Sequence, residues 1–312
     1  MTRPQTILLA ALAAALAAGC VDDSSSGPVD SGPIDTDTFV GDGGVGEYCE
    51  LHEDCETGFC ESYQTAPPDP DAVCAEGPGD GNVRMLGTLR DFVTLELIAD
   101  EEVRIAGAMP VLADPLTAPT VAQGTTNDLG RYDILGDDNA TKEMIGLVAL
   151  VEHSAYYLTA SGVVEPEIGG YIYPAGARNH DIWVVPESTI AEWSDLLVAH
   201  DASLSAYVPL GEKGGVIGKI RDQDTGEPVG GIELVSRTPE SIAQIFYLNA
   251  DGDGLQTGSS SANGHFIVLD ASLAEKLDAY EGDELVSGHE ATLGQTFGGI
   301  FTTSIQVHDD DQ

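Results

Sequence analysis

Apolar positions fall into three regimes along the chain. The first is an unbroken run from Ile7 through Leu8, Leu9 and Leu12 to Leu16, Ala17, Ala18 and Gly19, entered through a single cation, Arg3. Its 13 residues fall short of the roughly 20 that a membrane-crossing helix needs. The run suits the apolar middle of a secretory signal, and Ala17-Ala18-Gly19 offers small residues for cleavage. The second regime, residues 21–48, is mostly Gly, Ser, Pro and Asp. It buries too little to offset its ordering entropy, so a disordered tether is expected over 20–48, behind a signal peptide at 1–19. The third regime starts near residue 83 and consists of short β-branched runs separated by Gly, Asp, Asn and Pro, the pattern of strands. Two helical stretches interrupt it. Thr189-x-x-Glu192 and Ser272-x-x-Glu275 are capping-box patterns, and Ile190, Trp193 and Leu197, or Leu273 and Leu277, supply an apolar stripe.

The strand-like region repeats itself. Gly87-Thr-Leu-Arg90-Asp91-Phe-Val-Thr94-Leu-Glu96 aligns with Gly218-Lys-Ile-Arg221-Asp222-Gln-Asp-Thr225-Gly-Glu227 at an offset of 131. Tyr157–Gly162 matches Tyr247–Gly252, and Val184–Glu192 matches Val268–Glu275, at smaller offsets. Ordered matches with a shrinking offset predict two copies, at 83–210 and 214–307, the first carrying an insertion at about 106–146. In the second copy Asp222-Gln-Asp-Thr-Gly-Glu-Pro reads as a turn in which Asp and Thr side chains bond nearby backbone N–H groups and Gly226 takes positive φ. Leu95 stands where Gly226 stands and Leu97 where Pro228 stands, so the first turn must differ or be strained.

The strand–Asp-x-x-Thr-Gly-x-Pro–strand pattern at 215–237, with Asn263-Gly264-His265-Phe266-Ile267, resembles the carboxypeptidase regulatory-like domain. Residues 84–105 and Gly130-Arg-Tyr132-Asp-Ile134 match it more loosely. The resemblance implies an all-β fold: two tandem prealbumin-like β-sandwiches with one short helix each. It brings no catalytic residues.

Cys49, Cys55, Cys60 and Cys74 crowd into 26 residues, and no cysteine follows them. Their spacing does not match the paired Cys-x2-Cys of structural zinc sites, although a zinc reading with His52 as a further ligand stays open. In an exported chain two disulfides are expected over 49–74, with three pairings allowed. Such a segment is too small for a core and depends on its bridges. Asp54-Cys55-x-x-Gly58-x-Cys60 is similar to the short cysteine-rich modules of extracellular proteins, including the N-terminal dickkopf type. The fifth cysteine, Cys20, directly follows the small residues of the apolar run, and this arrangement resembles the lipobox of bacterial lipoproteins. That implies a lipidated Cys20 and a membrane partner reached through the lipid anchor, with an ordinary cleaved signal as the alternative. Val21 after the cysteine points to the outer membrane or cell surface by the same analogy.

Charge narrows the partners. With 53 acidic against 12 basic residues and a net charge of −41, the surface repels phosphate backbones, so no nucleic-acid partner is expected. Candidate chemistry is sparse. Asn249-Ala-Asp251-Gly-Asp253-Gly254 copies the start of a calcium loop, but its twelfth position is Ser260. Calcium at Asn249, Asp251 and Asp253 is thus the one cofactor the pattern offers, with an acidic hairpin turn as the alternative. Tyr171 and Tyr173 share one strand face and, with Tyr156, Tyr157 and Trp183, form either a glycan- or peptide-stacking surface or core. His289-Glu290-Ala-Thr-Leu293 begins like a zinc-peptidase helix but ends on Leu293. No catalytic motif emerges. The expected function is a non-enzymatic, surface-exposed envelope lipoprotein acting as an adhesive or binding module, with an extracellular protein or glycan as ligand. A carbohydrate- or peptide-binding accessory protein and a secreted hydrolase are the rivals.

Overall fold

The computed structural model describes residues 43–50, 54–64, 66–78, 82–137, 146–164, 180–238, 240–272, 275–286 and 291–308. The expected signal peptide, Cys20, Tyr171, Tyr173 and His289 lie outside the described residues. The chain is mostly strand. A short ladder, β1 (Cys60–Glu61) with β2 (Val73–Cys74), belongs to the cysteine module. The first copy then gives β3 (Val83–Asp91), β4 (Glu102–Gly107), α1 (Ala108–Ala113), β5 (Thr120–Thr125), β6 (Arg131–Gly136), β7 (Leu147–Val151), β8 (Thr159–Val164), β9 (His180–Val184) and α2 (Glu187–His200). The second gives β10 (Val216–Asp222), β11 (Ile232–Ser236), β12 (Gln244–Leu248), β13 (Leu255–Gln256) and β14 (His265–Leu269). It continues with β15 (Glu275–Glu281), β16 (Glu284–Leu285), β17 (Ala291–Leu293) and β18 (Ile300–Val307).

These strands stack in layers around one long sheet, ordered β13-β12-β14-β10-β18-β8-β7-β4-β5. It runs through both copies, joined where β18 pairs in parallel with β8. A three-stranded sheet, β6-β3-β9, covers one face, and β11-β15 with β16 and β17 covers the other. β7 shows why. Its Leu-Val-Ala-Leu-Val has no polar alternation, and all five residues are buried. Leu147, Ala149 and Val151 face the core shared with β3 and β6, while Val148 and Leu150 face the core shared with β11 and β15. Continuous apolar runs of this kind mark a strand covered on both sides. Each Val or Leu so buried contributes roughly 1.5–3 kcal/mol.

The repeat is visible bond by bond. β3 pairs antiparallel with β6 and parallel with β9, and β10 pairs antiparallel with β14 and parallel with β18. Gly87 faces Tyr132 across its ladder, and Gly218 faces Phe266. Leu89 N–H donates to Gly130 O at 2.8 Å and Ile220 N–H to Gly264 O at 2.9 Å. The copy-to-copy offset therefore stays near its initial value from Gly87 through Tyr132. Residues 106–146, expected as an insertion, include the end of β4, α1, β5 and β6. Tyr157–Gly162 leads into β8, whereas Tyr247 lies inside β12, so that sequence match joins unlike places.

The first turn is both the same and strained. Asp91 Oδ1 accepts from Thr94 N–H and Asp222 Oδ1 from Thr225 N–H, each at 2.7 Å. Leu95 N–H donates to Asp91 O and Gly226 N–H to Asp222 O. Leu95 holds φ 64° and Gly226 φ 71°. A leucine there costs about 1–2 kcal/mol that glycine does not.

The two expected helices part ways. α2 forms and buries Ile190, Trp193 and Leu197, but it opens at Glu187 behind Pro186, with no side-chain cap, so Thr189 already lies inside it. The Ser272-x-x-Glu275 pattern opens no helix. Glu275–Glu281 is a strand, because Leu277 and Ala279 are buried in alternation with Lys276, Asp278 and Tyr280. Half of the capping-box bonding survives all the same, since Ser272 N–H donates to Glu275 Oε2 at 2.9 Å. Local bonding and tertiary period disagreed, and the period-2 burial decided.

Candidate functional site

The four module cysteines pair as Cys49–Cys60 and Cys55–Cys74, one of the three allowed schemes. Their sulfurs are thereby spent as zinc ligands. Cys49, Cys55 and Cys60 are the group with metal-ligand proximity among the described residues, and all three are oxidised. The module's own core is little more than the disulfides and Ala72. Attachment to the sandwich is polar and runs through arginine. Arg84 bonds Glu61 at 2.9 Å and lies over the Phe59 ring at 5.2 Å. Arg131 lies over the Tyr63 ring at 4.9 Å, within 3.5 Å of Asp69 and 3.3 Å of Asp71.

Beside this contact sits a buried polar cluster. Arg90 and Arg221, the repeated arginines, converge on one aspartate, Asp181 of β9, whose side chain is 3 % exposed. Arg221 Nη1 donates to Asp181 Oδ2 at 3.1 Å, and Arg90 Nε stands 3.7 Å from Oδ1. Thr88 Oγ1 donates to the same carboxylate. The far ends of both guanidinium groups reach the module: Arg221 Nη2 donates to Ala66 O at 2.8 Å and Arg90 Nη2 to Gln64 Oε1 at 3.3 Å. One buried carboxylate thus ties together both β copies and the disulfide segment.

Next to it, Lys219 of β10 is buried with its Nζ 4.7 Å from the Phe92 ring centre and 5.0 Å from that of Trp183. Burial, with Arg221 as a like charge, pushes its ammonium down to about 7, while Asp91 acts the other way. Phe92 stacks on His265, which burial and Lys219 hold neutral with its pKa pushed down to about 3. Aromatic faces partly compensate a desolvated cation. The arrangement is a structural joint rather than an open cleft, because Asp181, Lys219 and Trp183 are all shielded from solvent.

The residues singled out in sequence distribute unevenly around this joint. Trp183 is fully buried, so it cannot belong to an external stacking platform. Asn249 and Asp253 close the β12–β13 hairpin by bonding each other: Asp253 N–H donates to Asn249 Oδ1 at 3.1 Å, and Asn249 Nδ2 donates to Asp253 Oδ1 at 2.9 Å. Calcium at Asn249, Asp251 and Asp253 would have to replace those bonds. Asp181, Lys219, Arg84 and Arg131 gave no motif signal. For the cations scarcity was the one clue: a chain with 12 of them commits four arginines to a single contact.

No family model matches the chain, and no curated protein resembles it in sequence. Among solved structures it is similar to the shaft pilin SpaA of Lactobacillus rhamnosus GG, at 12% identity over 73% of this chain and 97% of that one, with a TM-score of 0.21. A streptococcal ancillary pilin is similar at 12% identity over 76% of this chain and 66% of that one, with a TM-score of 0.19. The major pilin T3.2 of Streptococcus pyogenes stands at 10% identity over 74% and 99%, with a TM-score of 0.18. Likeness at this level carries neither activity nor partner over to this chain. Among the described residues no helix is long and apolar enough to cross a membrane.

Proposed function

We propose that the protein is an exported cell-envelope lipoprotein that works as a non-enzymatic structural or binding module. Cys20 would carry the lipid, the residues from there to 42 the tether, and the paired sandwiches at 83–210 and 214–307 the working surface. Residues 43–48, expected at the end of that tether, instead bond to the cysteine module: Gly46 N–H donates to Cys74 O and Cys74 N–H to Glu47 O, each at 2.8 Å. One observation carries this reading: two disulfides in a module held by arginines to a joint that spans both β copies. Disulfides persist in oxidising compartments, outside the cytoplasm. The acidic surface favours solubility there and gives no purchase on anionic headgroups, leaving acyl chains as the anchor.

Metabolic labelling with an alkyne fatty acid, followed by fractionation and protease shaving of intact cells, tests it. The wild-type chain should take up label, follow the membrane fraction and be shaved from outside. Cys20→Ser should lose the label and leave the membrane. Unlabelled wild-type protein, or free thiols at Cys49, Cys55, Cys60 and Cys74 in protein taken from cells, would overturn the proposal.

A further inference from the structure

The aspartate-anchored turn occurs twice with the same hydrogen bonds, yet among the described residues its outer face is covered in one copy only. In the second copy the cysteine module rests on it: a Cβ on Gly226 would lie 2.7 Å from Pro67 Cδ and 2.9 Å from Ala66 O. Asp224 and Pro228 flank that glycine. In the first copy the same three places hold Val93, Leu95 and Leu97, exposed by 53%, 43% and 44%. Leu129, 56% exposed, joins them from the turn before β6, where the second copy has Asn263. The two loops touch, since a Cβ on Gly130 would be 2.9 Å from Leu97 Cβ.

Leu95 occupies the left-handed conformation in water, where glycine would serve with less strain. For the isolated fold that is an unfavourable choice made beside three more exposed apolar side chains. Contiguous apolar surface of this kind marks a contact with another molecule. Charge says which kind. Glu96, between two of the patch leucines, and Asp128, beside the third, are exposed and form no ion pair among the described residues. A second copy of this chain would bring two bodies of net charge −41 together, and anionic lipid would be repelled likewise.

We infer that Val93, Leu95, Leu97 and Leu129 form a docking surface for a second protein whose contacting segment is apolar and flanked by lysine or arginine. The inference deepens the envelope-module reading and rests on it for where that partner is met. Its test uses purified chain, so it succeeds or fails independently of lipidation at Cys20.

Fluorescence anisotropy is measured on the full chain with a short labelled peptide alternating leucine and lysine. A serine–lysine peptide of equal charge and a leucine–glutamate peptide serve as comparators. The leucine–lysine peptide should bind roughly tenfold or more tightly than either. Exchanging the patch for its second-copy counterparts, Val93→Asp, Leu95→Gly, Leu97→Pro and Leu129→Asn, should abolish that advantage. Leu95→Gly alone should weaken binding several-fold with the melting temperature unchanged or raised, which separates lost contact from lost fold. Equal binding of the two lysine peptides overturns the inference. So does undiminished binding by the exchanged chain, or a concentration-dependent dimer of the wild type that the exchange abolishes.

Discussion

The two copies share one strand–turn–strand device and use it in different surroundings. β3 lies in the small outer sheet and β10 in the middle of the long one. Thr88 faces Asp181 across the parallel ladder in the first copy, and Lys219 faces Ser304 at the same place in the second. The arginine two residues further on is kept in both, because a single aspartate serves both. A repeated unit can thus do without an acidic partner of its own if its neighbour's lies within reach. The consequence is asymmetry: the second copy carries an unmatched buried lysine, and the first supplies the carboxylate for two arginines.

Removing that carboxylate has the largest expected effect. Asp181→Ala leaves Arg221 and Arg90 without their shared partner, and breaking a buried ion pair in this way costs about 3–5 kcal/mol. Urea unfolding should show the midpoint falling for the whole β body together. A change confined to the cysteine module would mean that the joint does not couple the copies. Gly226→Leu comes next. The new side chain meets Pro67, Arg221 Nη2 and Ala66 O, each within 3 Å of its Cβ, and overpacking of this kind costs about 1–3 kcal/mol. Faster proteolysis within 49–74 should accompany the loss, because the module is what the side chain displaces.

This contrast also explains what could be seen in the sequence. The second-copy turn was legible because Asp222, Thr225, Gly226 and Pro228 each have a local reason to be there. The first-copy turn was legible only through the repeat, since Leu95 denies the conformation it adopts. β15 was misread because Ser272 and Glu275 do form half of a capping box, while the alternation Leu277, Ala279 that makes a strand needs the core to give it meaning. Matches at Tyr157 and Val184 misplaced an insertion, because short apolar pieces align without sharing neighbours. Asp181 was illegible. It lies 91 residues after Arg90 and 40 before Arg221, and its value comes from a ladder register that no local pattern encodes.

Acidity offers a second way to separate the copies. Lys219 sheds its proton near pH 7 in the folded chain but near 10.4 when unfolded. Between those values the unfolded chain binds the extra proton, so stability rises with pH by up to about 1.4 kcal/mol per unit. Lys219→Met should flatten the rise between about pH 7 and 10. His265 is held neutral in the fold with a pKa near 3, so its share of stability is lost as pH falls below about 6.5. That acid limb should survive Lys219→Met but shrink, because burial, the larger cause, stays while the lysine's repulsion is lost. Loss of both limbs together would show that the lysine and the histidine titrate as one group.

The smallest expected effect is the most diagnostic. Leu95→Gly relieves roughly 1 kcal/mol of backbone strain, against a comparable entropic cost of the added glycine in the unfolded chain, so stability should change by a few tenths of a kcal/mol or rise slightly. A core leucine would instead cost about 2–5 kcal/mol on truncation. The turn bonds from Asp91 to Val93 and Thr94 should persist, as their counterparts do around Gly226, and amide exchange at Thr94 reads them directly. If Leu95→Gly destabilises by several kcal/mol, its side chain packs on the first copy's own surface. Leu95 would then be core to this copy rather than offered to a partner, and the two turns would differ only in which part of the same chain covers them.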